Sequence, residues 1–161
     1  MNKEGAEALI NLNKNILVFY FSINTAYGGE CLRSMANQLF VTIDQNDRLI
    51  ANFSYEYAKE LTDKEVFYIS EMEDKTLILK SAHNGLHVCL DDQELLAICN
   101  ASIKGQSPAR FTKLCHSHYT GIVMGVGNCK VFGLRCLANG RLVTVNLEAG
   151  KDYGVLKVNI G

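Results

Sequence analysis

A twelve-residue pattern occurs three times in ungapped form: LRSMANQLFVTI from Leu32, LKSAHNGLHVCL from Leu79 and LRCLANGRLVTV from Leu134. A unit of that size cannot bury its own apolar face, so the copies must share one core. In each copy the order is leucine, a basic residue, a small residue, two variable positions, asparagine, a turn residue, two variable positions, valine, Thr or Cys, and an aliphatic residue. That order predicts a β-hairpin.

The turns are Asn84-Gly85 and Asn139-Gly140, a pair suited to the consecutive positive φ angles of a two-residue type I′ turn. The first copy has Asn37-Gln38, where a non-glycine residue in a left-handed conformation costs about 1 kcal/mol, so a longer or distorted loop is expected there. These asparagines and glycines are structural residues. In the second limbs, Leu39, Val41 and Ile43 alternate with Phe40 and Thr42, and Leu86, Val88 and Leu90 alternate with His87 and Cys89. The third copy keeps Val143 and Val145 but places Arg141 first on that face. Period-two spacing predicts one buried face and one wetter face.

Each hairpin precedes a third strand: LIAN ending at Asn52, LLAI from Leu95 and LKVN ending at Asn159. A fourth follows in two copies, VFYIS from Val66 and ARFTKL from Ala109, but not in the third. VFYFS from Val18 matches VFYIS in four of five positions, so Ile16 to Ser22 is expected to supply the last repeat's missing strand and to remove the open sheet edge. Three copies of four short strands, closed in this way, predict an all-β, single-domain β-trefoil over residues 16–161, with residues 1–15 as an N-terminal arm. The segment from His116 to Asn128 is the expected irregular insertion.

With 161 residues and 48% hydrophobic composition, the chain can bury one sizeable core. Its 16 basic and 17 acidic residues give a net charge of −1, so no whole-chain field favours nucleic acid. The six cysteines, at 31, 89, 99, 115, 129 and 136, contain no CxxC pair and no zinc-like spacing, and they read as reduced, packed thiols. A redox role for them stays open. The apolar run from Ile16 to Ile23 is too short to span a bilayer. A signal peptide ending near Ala26 is the competing reading, and secretion would expose Asn52 and Asn100 as glycosylation acceptors.

Arg33, Lys80 and Arg135 share a repeat column next to an inward leucine. They are the leading ligand-binding candidates, as a ring of cations for an anionic ligand or a phosphoinositide head group; the competing reading is solvated edge residues that discourage strand addition. His116 and His118 alternate beside Cys115, and His87 and Cys89 form a similar pair, but neither has a third ligand in sequence, so no metal is expected. Gly121, Gly125 and Gly127 lack the Gly-Lys-Ser or Gly-Lys-Thr ending of a phosphate loop and suit a flexible or bulged β connection. Asp91 and Asp92 fit a turn. No nucleophile elbow or catalytic carboxylate pair appears, so an enzyme is not expected, and no cofactor.

The hairpin LKSAHNGLHVCL, with its leucine-rich third strand and phenylalanine-containing fourth, resembles the trefoil unit of the fascin and hisactophilin family of actin-interacting proteins, over about residues 16 to 161. That resemblance implies a non-catalytic, cytoplasmic module with actin filaments as partner. Fascins carry four such trefoils, and this chain carries one. The competing class is a secreted or surface trefoil that binds carbohydrate or a receptor protein; lectins of the ricin type carry Gln-x-Trp in each repeat, and this chain has no tryptophan.

Overall fold

The structure, a computed structural model, describes residues 17–20, 28–34, 37–54, 60–100, 106–122, 128–147 and 149–160. The proposed arm, 1–15, lies outside them. The described residues are all-β. The strands are β1 (Leu17–Tyr20), β2 (Cys31–Ser34), β3 (Phe40–Ile43), β4 (Leu49–Phe53), β5 (Phe67–Glu71), β6 (Leu77–Ser81), β7 (Val88–Leu90), β8 (Leu96–Ile98), β9 (Phe111–Ile122), β10 (Asn128–Cys136), β11 (Leu142–Leu147) and β12 (Gly154–Ile160). One 3₁₀ turn covers Asp63–Glu65.

Ten strands form a nearly closed, barrel-like sheet in the order β1-β2-β3-β4-β12-β11-β10-β9-β6-β5, in which β1 also pairs with β10. β1 therefore has two antiparallel neighbours: Val18 faces Arg33 on β2 and Val131 on β10. The N-terminal strand joins the first limb of the third hairpin to the first limb of the first, and neither is left as an open edge there. β7 and β8 make a separate two-stranded sheet, tied in by bridges from Lys80 to His87, Arg48 to Ala97 and Leu95 to Lys157. The third strands also meet one another: Gly154 faces Ala51, the Ile98 amide donates to Asp47 O, and the Val158 amide donates to Glu94 O.

The hairpin loops correct the expected type I′ turns. In all three, the amide of the second turn residue bonds back over a four-residue loop: Gln38 to Ser34 O, Gly85 to Ser81 O and Gly140 to Cys136 O. Positive φ occurs at Gln38 (63°), Gly85 (72°) and Gly140 (69°) but not at the asparagine before them. Each asparagine Oδ1 instead accepts the amide two residues on, from Leu39, Leu86 and Arg141, which closes an Asx turn. In the first copy, residues 35 and 36 lie outside the described residues. Gln38 takes the left-handed conformation that glycine takes in the other two, held by the same bonds.

The repeat leucines Leu32, Leu79 and Leu134 are each 1% exposed, and Val41, Val88 and Val143 are fully buried. Leu49, Leu96 and Leu156 join them, with Phe67 and Phe111 from the strands that begin the next copies. At about 1.5–3 kcal/mol for each large side chain taken from water, these columns are the main source of stability. Alternation fails in the first turn of the second limbs. Leu39 is half-buried and Leu86 and Arg141 are exposed, because these positions still belong to the loop, whereas Phe40 is fully buried beneath the Arg33 guanidinium, 5.9 Å from its ring centroid.

The insertion is no loop where it is described. β9 and β10 run on as one antiparallel ladder, with an irregularity where Val131 faces His116 and Lys130 faces Thr120. Gly121 sits in that ladder opposite Cys129, while Gly125 and Gly127 lie outside the described residues.

Candidate functional site

The cation column is turned onto its own hairpins. Arg33 is 6% exposed, and its Nε donates to Gln38 O at 2.8 Å. Arg135 donates from a guanidinium nitrogen to Gly140 O at 2.9 Å. Both cap the carbonyl of the left-handed turn residue, and exposed Lys80 lies over Gly85, with its Cε 4.0 Å from where a Cβ would stand. Arg33 therefore corrects the picture of a column pointing away from the core. A guanidinium reaches the carbonyl because the four-residue loop folds back over the basic residue.

The asparagines are struts as well as turn residues. Asn37 Nδ2 donates to Ala51 O and Asp152 O, at 3.0 and 2.7 Å, and Asn139 Nδ2 donates to Val158 O at 2.9 Å. They fasten the hairpin tips to the third strands. Nothing in the spacing of the hairpin alone reveals this.

The residues next to the valine column differ from copy to copy. Thr42 donates to Glu65 Oε2 at 2.6 Å, and Glu65, buried at the 3₁₀ turn, accepts from the Thr62 amide and hydroxyl. Thr144 donates to Lys157 O and Asn159 Oδ1, both at 3.2 Å. Cys89 is a buried free thiol, with Cys99 two residues past its ladder partner Ala97. Beside Glu65, burial first and then the charges of Glu65 and Glu30 push the Cys31 thiol up to about 12, which makes it inert packing. Burial raises the Glu30 carboxyl, partly offset by Lys113, and its Oε2 has no hydrogen-bond partner.

The concave surface lies elsewhere. A groove of about 380 Å³ runs between the segment before β9 and the tip of the β10–β11 hairpin, lined by Leu90, Ser107, Pro108, Ala109, Arg110, Leu137 and Ala138. Backbone bonds fix its walls: the Ala109 amide donates to Val88 O and the Leu137 amide to Arg110 O. Leu137 is 53% exposed on one rim. Arg110 also borders a second hollow with Met72, Glu73 and Asp74. Its guanidinium lies 3.3 Å from Asp74 Oδ2, an exposed pair that solvent screens strongly. Hydrogen bonds from Thr76 hold the Asp74 carboxyl below its ordinary value. A mixed apolar and polar lining with the Arg110 guanidinium beside it suits a ligand that carries an apolar group and an acidic group, which would compete with Asp74 for Arg110.

His83, at a turn tip, meets Asp63 at 3.0 Å, and no three His, Cys, Asp or Glu residues gather as a metal group among the described residues. The side chains of His116 and His118 lie outside what the structure describes. No described helix is long and apolar enough to cross a membrane. No protein-family model and no curated protein matches the sequence. The groove was not foreseen from sequence because its residues come from three separate segments and include none of the repeated positions except Leu90, Leu137 and Ala138.

Proposed function

We propose that this chain is a single β-trefoil of the fascin-like kind, acting in the cytoplasm as a non-catalytic binding module. Three hairpins with one loop geometry, third strands bonded to one another and an N-terminal strand paired with the third hairpin all support that fold. The observation that carries the binding reading is the groove, whose lining brings Arg110 and the exposed Leu137 side by side. Its partner is a protein surface offering an apolar side chain beside a carboxylate. Actin filaments are the partner that the family resemblance names.

Co-sedimentation with actin filaments at low and moderate salt tests this. The chain pellets with filaments, more strongly at low salt, and Leu137→Asp or Arg110→Glu abolishes pelleting without changing the melting temperature. Absence of pelleting at both salt concentrations sinks the actin reading, and pelleting unchanged by either substitution sinks the groove as its seat.

A further inference from the structure

Cys89 on β7 and Cys99, the first residue past β8, occupy one face of the two-stranded sheet. Cys89 faces Ala97 in the ladder, and Cys99 lies two residues further on, so strand alternation sets the two side chains diagonally on the same side. The third hairpin places a polar pair at the same diagonal. There Thr144 faces Lys157, and its hydroxyl meets Asn159, again two residues on, at 3.2 Å. In the middle hairpin the same two places hold free thiols.

We infer that Cys89 and Cys99 are a redox modification site, closing a reversible disulfide when the protein meets a hydroperoxide. Cys99 is half-buried and Cys89 is 2% exposed, so Cys99 meets the oxidant first. Its thiolate attacks a peroxide oxygen; an S–O bond forms, the O–O bond breaks, and hydrogen peroxide leaves one water and a sulfenic acid on Cys99. The Cys89 sulfur then attacks the Cys99 sulfur. An S–S bond forms, the S–O bond breaks, and the departing hydroxide takes the Cys89 proton as a second water. Two thiols have lost two electrons and the peroxide has gained them; a dithiol reductant reverses the step by exchange. Burial first, then the neighbouring Cys99 thiol and the charge on Asp91, push the Cys89 thiol up, which keeps it protonated until its neighbour is oxidised. Val88 O holds the Ala109 amide and Leu90 lines the groove, so the cross-link stiffens the strand on which the groove rests.

The test uses the full chain, treated with stoichiometric hydrogen peroxide, alkylated and digested with trypsin. Residues 81–104 carry both cysteines and contain no Lys or Arg before Lys104, so both thiols fall in one peptide. That peptide is expected unalkylated and two hydrogens lighter, and dithiothreitol restores two alkylatable thiols. In Cys89→Thr, which copies Thr144, Cys99 is expected to be trapped by dimedone as the sulfenic acid. The inference is overturned if both thiols still alkylate after oxidation, if Cys99 carries two or three oxygens while Cys89 alkylates, or if either cysteine is bridged elsewhere. The wild-type digest decides these outcomes whether or not the variant folds.

Discussion

The β7–β8 and β11–β12 pairs both follow from the repeated hairpin sequence and differ in their polar side chains. Each holds a buried valine, Val88 or Val143, and each sets a diagonal pair on one face, Cys89 with Cys99 or Thr144 with Asn159. The first pair has three residues to a strand and lies outside the main sheet; the second has six and seven and sits within it. Equivalent backbones therefore leave the polar chemistry between them free to differ. The apolar columns fix where strands go, and a diagonal pair needs only to satisfy its own hydrogen bonds.

The comparison breaks entirely if the hairpins are independent. Deleting residues 1–24 removes β1, which pairs with both β2 and β10, and is expected to abolish cooperative unfolding in both pairs at once. A truncated protein with an unchanged calorimetric transition would refute the shared core.

A smaller and more local effect is expected from Gly154→Ala. A Cβ there would lie 2.0 Å from Asn146 O and 2.9 Å from the Leu147 Cα, so β11 and β12 must separate, at a cost of about 2–4 kcal/mol. Counting back from Ile98 and Val158, the matching residue of the middle hairpin is Glu94, already a full side chain. Glu94→Ala loses an exposed contact with Arg141, worth at most about 1 kcal/mol in urea denaturation.

Exchanging the diagonal pairs sharpens the comparison directly. Cys89→Thr with Cys99→Asn should change stability by less than about 1.5 kcal/mol while removing the response to peroxide. Thr144→Cys with Asn159→Cys should transfer that response to the third hairpin, read by the same peptide mapping. Removing the Asn139 strut by Asn139→Ala is expected to cost about 1 kcal/mol, by loss of the bond to Val158 O and of the Asx turn.

The smallest effect concerns pH. Glu30 has a raised carboxyl pKa in the folded chain, so its contribution is fully present below the unfolded value and is lost as pH rises through the folded one. Glu30→Gln should flatten that part of the melting temperature profile and slightly raise the neutral-pH melting temperature. A profile identical to that of the unmodified chain would show that Glu30 is solvated in both states.

The number and order of the strands, the buried leucine and valine columns and the left-handed glycines of the second and third turns were legible in the sequence. Those follow from periodicity and from which residues tolerate positive φ, both local properties. It left open the loop type, since Asn-Gly serves a four-residue loop as well as a two-residue one, and the fate of Arg33, whose guanidinium bonds to a carbonyl five residues away rather than to solvent. The column of Thr42, Cys89 and Thr144 was visible from the repeat. Its partner column was not, because the third copy has a longer turn before β12 and Asn159 falls out of step with Cys99 until the ladder aligns them. Only the tertiary structure brought Leu90, Arg110 and Leu137 around one groove, since contact between distant segments depends on how the sheet curls and not on any pattern within a segment.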